Sequence, residues 1–269
     1  MVRNPHATKA IRYVRRRRRE QELELVLELG RVKTDTRVLD IGCGAAYQSA
    51  IMRQRGYDVV CGDVKNSAIF TYLDTLFDCC YLPFKDKSFR IVYSSHLLEH
   101  VHDKSKALRE MIRVLGPAGS IYVIVPTRLW KIGQLLSYYP ELLVLSTKRA
   151  SKLLSRLTKR ISTDREREPD MSIVPTETGS TLRRLYSKAR RYVIPSVHGT
   201  ALSNLEELRS FRMSNWLQLF KDNGLNVNKV IMGPLWMPGP ISLPPIMAKR
   251  LGMSSSFIFE MSYKQTEHN

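Results

Sequence analysis

The 269-residue sequence contains few cysteines and no long hydrophobic run. Its four cysteines, Cys43, Cys61, Cys79 and Cys80, fall in the first third and follow no CxxC or histidine-paired spacing. We therefore expect reduced thiols rather than a disulfide framework or a zinc site. No apolar run reaches the roughly 18 residues that a membrane helix needs. The first residues carry arginines where a secretion signal needs an apolar core, which favours a cytoplasmic protein.

The charge is plentiful but unevenly distributed, with a formal net charge of +18. Residues 127–200 carry 15 Lys/Arg against 6 Asp/Glu, whereas residues 33–126 carry 12 against 10. Basic surface of this kind attracts RNA, anionic lipid or acidic substrates. A purely solvated, solubilising surface explains the same charge, so these alternatives stay open at this point.

The first 32 residues predict a basic helical arm. A helix is expected over residues 8–29, with Thr8 as a possible N-cap and Gly30 as the stop. The run "RRRRRE" is expected to stay exposed because unpaired charges are costly to bury. By contrast, "LELVLEL" places several apolar side chains near one face, namely Leu23, Val26, Leu27 and Leu29.

Strand-like and helix-like segments alternate after residue 36. Strands are predicted at "RVLDIG", "DVVCGD", "FRIVYSS" and "SIYVIVP", with helices over 46–55 and 103–115 and a weak one near 66–76. One amphipathic helix is expected around "NLEELRSFRMSNWLQLFKDNGL", followed by strands at "NVNKVIMG" and "FIFEMSYKQ". This alternation predicts an α/β, Rossmann-like, doubly wound and mostly parallel sheet of about seven strands.

The alternation fails over residues 127–200, which mix apolar patches with a basic polar stretch. This length is too great for a connecting loop, so we predict an inserted helical cap. The predicted organisation has four parts: a basic arm (1–32), a cofactor-binding core (33–126), the basic and apolar cap (127–200) and a C-terminal completion of the core (201–269).

The stretch "VLDIGCGAAY" carries the most chemistry. Two glycines at the end of the first strand allow the backbone to approach a ligand closely. A dinucleotide favours G-x-G-x-x-G, but Tyr47 takes the third small position and Asp40 would be a poor neighbour for phosphates. A carboxylate there suits a cofactor with an ammonium group and a positive sulfur, a description that fits S-adenosylmethionine.

"VLDIGCG" resembles the first motif of the class I S-adenosylmethionine-dependent methyltransferases. Asp63 ends the second strand, as does the family's acidic residue that binds the ribose hydroxyls, and "DCCYLPFKDKSFRIVYSSHLLEHV" resembles a segment typical of small-molecule methyltransferases. The resemblance covers residues 34–126, more weakly 205–232, and departs from the family pattern at Arg90, where an aspartate is usual. It implies a cofactor site formed by Asp40, Gly42, Gly44, Asp63, Val64, Asp78, Cys79, Ser95 and His96.

In-line methyl transfer depends mainly on orientation and exclusion of water, with a general base only where the acceptor must lose a proton. The candidate bases are His96, beside the expected methyl group, and His198, where the cap returns to the core. His100 is expected to be structural. A structural role is an equally good explanation for each of these histidines.

The sequence argues against nucleobase acceptors. The segment "SSHLLEH" stands where enzymes for exocyclic amines carry N/D-P-P-Y/F, and no cysteine lies near the fifth strand for pyrimidine C5 chemistry. The predicted function is methyl transfer to oxygen, nitrogen or carbon of a small-molecule or lipid-like acceptor, with possible peripheral contact to anionic membrane. The alternatives are an RNA-modifying enzyme that uses the basic arm and a noncatalytic methyltransferase-like binding protein.

Overall fold

The computed structural model describes residues 5–30, 33–136, 197–235 and 253–263, together with residues 138, 151 and 155. Seven strands form one sheet. They are β1 (Arg37–Ile41), β2 (Asp58–Asp63), β3 (Thr75–Leu76), β4 (Phe89–Ser95), β5 (Leu115–Pro126), β6 (Leu225–Met232) and β7 (Ser256–Tyr263). Within the described ranges, five longer helices pack around it. They are α1 (Pro5–Gly30), α2 (Tyr47–Gln54), α3 (Lys104–Val114), α4 (Asn204–Ser210) and α5 (Met213–Asp222).

The strand order is β3-β2-β1-β4-β5-β7-β6. Strands β1 to β5 are parallel, and β7 is antiparallel to both β5 and β6. The chain leaves β1 toward β2 and β3 and then returns to the other side of β1 with β4. This reversal creates a switch point at the carboxyl ends of β1 and β4, where open α/β sheets bind ligands. The predicted fold class is confirmed.

Alternate residues of each strand face opposite sides of the sheet, which creates two apolar clusters. Leu39 of β1 joins the cluster that contains α3 and α5, whereas its neighbour Val38 joins the cluster that contains Leu23 and Val26 of α1. Burying one such side chain contributes about 1.5–3 kcal/mol. The N-terminal helix is therefore part of the core, and all residues discussed below belong to one compact unit comprising Met1–Lys131, Val197–Met237 and Ile241–Asn269.

Two helix predictions were partly wrong: one in the position where the helix begins, the other in treating two helices as one. Helix α1 begins at Pro5, so Thr8 lies inside it and is not the N-cap. The region 204–224 forms two helices because Arg212 has extended backbone, with φ −70 and ψ 139. The interruption buries Phe211, which is 3% exposed, and lets Trp216 and Phe220 pack on the sheet.

The weak helix near 66–76 was also wrong. Arg53 of α2 donates to Thr71 Oγ1 and to the Tyr72 carbonyl, and it pairs with the Asp74 carboxylate. Asp74 Oδ2 in turn accepts from the Cys61 N–H at 2.7 Å. These contacts hold the segment against β2 in a non-helical path that ends in the short strand β3.

The run "RRRRRE" was expected not to be buried, and Arg18 contradicts this prediction. Arg18 is only 8% exposed because it faces the buried carboxylate of Glu22, one helical turn away. Most of the predicted cap and the segment 236–252 lie outside the described residues, so the four-part organisation stays a prediction. Among the described residues, no helix combines the length and apolarity needed to cross a bilayer.

Candidate active site

A tight turn follows β1 at the switch point. Gly42 and Gly44 have φ of 74° and 54°, in the left-handed region that favours glycine. The Gly42 N–H donates to the Gly62 carbonyl at 2.8 Å, which ties the turn to the end of β2. A Cβ on Gly42 would lie 2.8 Å from Leu97 Cδ1, whereas a Cβ on Gly44 would meet nothing within 4 Å. The turn is thus packed on one side and open on the other.

The Asp63 carboxylate binds the backbone on the open side of this turn. Its Oδ2 accepts from the Gly44 N–H at 2.9 Å, and its Oδ1 accepts from the Val64 N–H at 2.7 Å. Each carboxylate oxygen has a further lone pair available for an incoming hydroxyl. The geometry therefore suits the predicted contact with two hydroxyl groups.

Asp40 lies beneath the turn and is 2% exposed. Its Oδ2 accepts from the Ser49 hydroxyl at 2.5 Å. Burial raises the pKa of the Asp40 carboxyl to about 6, against the opposing effect of the Ser49 hydrogen bond. Because burial disfavours the charged form of this carboxylate, a nearby cation would stabilise it.

A cavity of about 340 Å³ opens above these residues. It brings together five of the predicted site residues: Asp40, Gly42, Gly44, Ser95 and His96. Seven further residues, which the sequence reasoning did not assign to the site, complete its lining. They are Arg16, Arg19, Cys43, Ala45, Tyr47, Gln48 and Phe70.

Helix α1 forms one wall of this cavity. Arg19 Nη1 donates to the Ser95 hydroxyl at 2.9 Å, and the Arg16 guanidinium lies 4.7 Å from the centre of the Tyr47 ring. Glu22, which is fully buried, accepts from the Ser256 hydroxyl at 2.6 Å and pairs with Arg19 at 3.3 Å. The Arg–Glu spacing of three and four residues was the sequence signal for this buried network.

His96 lies between two buried carboxylates. Its Nε2 is 3.3 Å from Glu22 Oε1, and its Nδ1 is 3.3 Å from Glu99 Oε1. The residue has φ of 54°, so the turn after β4 directs the ring toward this position. Both ring nitrogens therefore already face acceptors, an arrangement that holds the imidazole in place.

The other predicted cofactor residues lie along the neighbouring edge of the sheet. Val64 is 67% exposed, and Asp78 is exposed with Oδ1 accepting from the Cys80 N–H at 2.8 Å. Cys79 is buried, which raises the pKa of its thiol to about 12. Among the described residues, these three do not line the 340 Å³ cavity, and neither does Asp63, which borders it through its bond to the Gly44 N–H. Their cofactor roles stay predictions.

His198 lies in a second cavity, of about 300 Å³, whose lining also includes Glu99, Lys104 and Thr200. Its ring centre lies 4.6 Å from that of His100 and 4.9 Å from that of Trp130. The two predicted catalytic histidines therefore line different cavities. Glu99 lines the second one and faces His96 of the first, so the pair forms a shared wall.

Residues 39–123 match the family model described as a methyltransferase domain. This region is a class I S-adenosylmethionine-dependent methyltransferase domain. The domain contains the turn, Asp40, Asp63, Ser95 and His96 described above, and S-adenosylmethionine is the cofactor that its family implies.

Curated relatives resemble the methyltransferase domain over part of their length. The ubiquinone/menaquinone biosynthesis C-methyltransferase UbiE of Vibrio vulnificus is 37% identical over 105 residues, which cover 33% of this chain and 40% of that protein. UbiE of Nitrosospira multiformis is 33% identical over 120 residues, covering 39% of this chain and 49% of that protein. The chain thus spans less than half the length of these relatives.

Solved structures share the fold. The PH0226 protein of Pyrococcus horikoshii has a TM-score of 0.51 at 16% identity, with 93% of this chain and 91% of that chain covered. A protein of Listeria monocytogenes, described as an S-adenosylmethionine-dependent methyltransferase, has a TM-score of 0.50 at 13% identity, with 93% and 99% covered. At these identities the likeness concerns the fold alone.

Proposed function

We propose that the whole protein transfers a methyl group from S-adenosylmethionine to a small-molecule or lipid-like acceptor. The observation that carries this proposal is the 340 Å³ cavity within the methyltransferase domain, which joins a glycine turn, a buried carboxylate and Ser95 at one switch point. Its volume lies at the lower end of the range for small-molecule sites. When bound, S-adenosylmethionine supplies a methyl group on a positively charged sulfur.

The proposed cofactor contacts follow from the charge and the open space of the cavity. Asp40 provides a buried negative charge for the cationic part of the cofactor, and Asp63 accepts from its ribose hydroxyls. Gly44 leaves room above the turn, since a Cβ there would project into empty space. We retain Val64, Asp78 and Cys79 as candidate contacts to the adenine end, because β3 leads from Asp63 toward Asp78 along the same edge.

The N-terminal helix completes the cavity and keeps water from it. Arg19 binds Ser95 on the opposite wall, and Glu22 links the helix to His96 and to Ser256 of β7. Excluding water and fixing orientation account for most of the rate enhancement that methyl transfer needs from a protein. We propose that the basic arm serves this purpose, since part of its arginine run contacts the site.

His96 is proposed to orient groups beside the transferred methyl rather than to act as a free base. Each of its nitrogens already faces a carboxylate oxygen at 3.3 Å. With a carboxylate beside each nitrogen, the ring is held in position by Glu22 and Glu99 and presents neither nitrogen to the acceptor. His198 stays a candidate base only if the acceptor reaches the second cavity.

The acceptor class is supported by the relatives that match the domain, which are named as C-methyltransferases of ubiquinone and menaquinone biosynthesis. We propose a quinone-like or other apolar metabolite for this chain. We also propose a cytoplasmic location with salt-sensitive contact between the basic segments and anionic membrane. Co-sedimentation with anionic vesicles that weakens as salt rises is the expected result, and no binding at low salt would contradict the membrane contact.

A labelled-methyl transfer assay tests the proposed activity. The protein is incubated with methyl-labelled S-adenosylmethionine and with lipid, aqueous and RNA fractions of a cell extract, each counted separately. Label in the lipid or aqueous fraction is expected. Label confined to RNA would show that the acceptor is RNA and not a small molecule or lipid. If no methyl group is transferred and calorimetry detects no binding of S-adenosylmethionine, the result would favour a noncatalytic binding protein.

A further inference from the structure

Three side chains converge beside the second cavity, and two of them, Glu99 and His198, line it. Glu99 and His100 lie in a short 3-10 helix, Leu98–His100, directly after β4, and His198 comes from a segment about a hundred residues later. One possible ligand atom from each of the three lies within 4.8 Å of the other two. Sequence reasoning treated His100 as structural and His198 as an isolated base, so this grouping appears only in the fold.

The backbone holds the three side chains together. The Thr200 N–H donates to the Glu99 carbonyl at 3.0 Å. Gly199 has φ of 94°, and a Cβ there would lie 2.4 Å from the Glu99 carbonyl oxygen. The close approach of the two segments thus requires glycine at this position.

A buried ion pair fixes the same segment from its other side. Both oxygens of Glu207 accept from the His198 N–H at 3.1 Å, and Oε2 pairs with Lys131 Nζ at 2.6 Å. The Lys131 and Glu207 side chains are both fully buried. The backbone N–H groups of Thr200 and His198 therefore anchor this segment, to Glu99 on one side and to Glu207 on the other.

Glu99 provides a second, separate observation. It is 3% exposed and lines the cavity, yet neither of its carboxylate oxygens accepts a well-formed hydrogen bond from the described residues. His96 Nδ1 lies 3.3 Å from Oε1, and burial raises the pKa of the carboxyl. A buried carboxylate with so few donors is costly unless a cation is near it.

The ammonium group of Lys104 is the alternative source of a positive charge beside the Glu99 carboxylate. Its Nζ donates to the Val101 carbonyl at 2.9 Å and to Thr200 Oγ1 at 3.3 Å, and burial lowers its pKa. Within the described part of the chain, Lys104 and Glu99 form no ion pair within 4.0 Å. The lysine is thus engaged by other oxygens and leaves the carboxylate available.

We propose that Glu99, His100 and His198 bind one divalent transition-metal ion of the Zn²⁺ type. Two imidazoles and one carboxylate form a ligand set that zinc accepts in proteins, with a fourth position left for water or another oxygen or nitrogen donor. That position would face the 300 Å³ cavity, where Thr200 and Asn215 also lie. The proposed site does not depend on the methyltransferase activity for its existence.

The test is direct measurement of metal binding by the untagged full-length protein. The protein is stripped with a chelator, dialysed, titrated with Zn²⁺ by calorimetry, and its bound metal is measured by mass spectrometry. One equivalent per chain is expected for the wild type. At a Zn²⁺ concentration of 100 times Kd, the melting temperature should rise by about 5–10 °C.

Single substitutions assign the ligands. His100→Ala and His198→Ala should each lose the stoichiometric ion and the thermal shift, whereas His102→Ala, which removes a neighbouring exposed histidine, should keep both. Because His100 is exposed, its variant should fold, as circular dichroism of the metal-free protein can check. Stoichiometric zinc in both the His100 and His198 variants would overturn the proposal, as would the absence of zinc binding in the wild type.

Cobalt substitution separates this site from the thiols. A second group of candidate ligand atoms, from Asp78, Cys79 and Cys80, also lies within 4.8 Å. Co²⁺ bound to imidazole and carboxylate gives weak visible bands without a strong sulfur charge-transfer band in the near ultraviolet. A strong sulfur band that persists in Cys43→Ser and disappears in Cys79→Ser would place the metal at the thiols and contradict the proposal.

Discussion

The two cavities on either side of the His96–Glu99 contact are built in different ways. The first, at the Gly42–Gly44 turn, takes most of its lining from a continuous stretch of strand, turn and helix. The second joins the residues after β4 to α3, α4, α5 and the segment that contains His198. A local motif therefore predicts the first cavity, while the second becomes visible only when distant segments are folded together.

The largest expected effect concerns Asp63, which lies beside the first cavity and bonds to its Gly44. Asp63→Ala removes the acceptor for two proposed ribose hydroxyls and for the Gly44 N–H. Charge-assisted hydrogen bonds contribute about 1.5–3 kcal/mol each, so affinity for S-adenosylhomocysteine should fall roughly 100- to 10,000-fold, to below calorimetric detection. Asp58→Ala, an exposed carboxylate of the same strand, is the matched control. Unchanged affinity in Asp63→Ala would show that the cofactor is bound elsewhere.

The N-terminal wall of the same cavity depends on Glu22. Glu22→Ala leaves Arg18 and Arg19 beside an empty site and should lower the free energy of unfolding by about 3–5 kcal/mol. Glu24→Ala, two residues away, breaks the exposed ion pair with Arg55 and should cost at most about 1 kcal/mol. Urea unfolding of both variants measures the difference. Equal and small losses would mean that the helix does not depend on its buried network.

Most of the sheet and the glycine turn could be predicted from the sequence because strand periodicity and the order of motifs are local properties. The Arg–Glu spacing of α1 indicates ion pairs but not their burial, since a run of arginines is usually solvated and the other partners of Glu22 lie at His96 and Ser256. The break at Arg212 carries no proline or glycine, so helix propensity gives no sign of it. Only the burial of Phe211 and Trp216 against the sheet explains the break.

Substitution of Gly42 tests whether cofactor binding at the first cavity depends on the backbone conformation of the turn. Gly42→Val combines a left-handed backbone with a close contact to Leu97, at a combined cost of about 2–5 kcal/mol. Cofactor binding should become undetectable by calorimetry. Gly56→Val imposes a similar backbone cost at φ 85°, but its Cβ meets only Thr34 at 3.9 Å, so binding should persist. Loss of binding in both variants would point to general unfolding instead.

The smallest expected effect concerns pH. Since burial raises the pKa of Asp40 to about 6, the free protein takes up a proton there as pH falls through that value. A cationic cofactor favours the ionised carboxylate, so its affinity should fall up to about tenfold per pH unit below pH 6. Calorimetry between pH 5 and pH 8 should show this slope for the wild type and a flat profile for Asp40→Asn. A slope retained in the asparagine variant would assign the titration to another group.

The central claim is that the cavity above the Gly42–Gly44 turn holds S-adenosylmethionine. The most direct measurement is a crystal structure of the protein with S-adenosylhomocysteine. The ribose is predicted to lie against the Asp63 carboxylate, with the amino acid part near Asp40 and Arg19. The product bound outside this cavity, or the cavity filled by protein atoms in the complex, would contradict the proposed function.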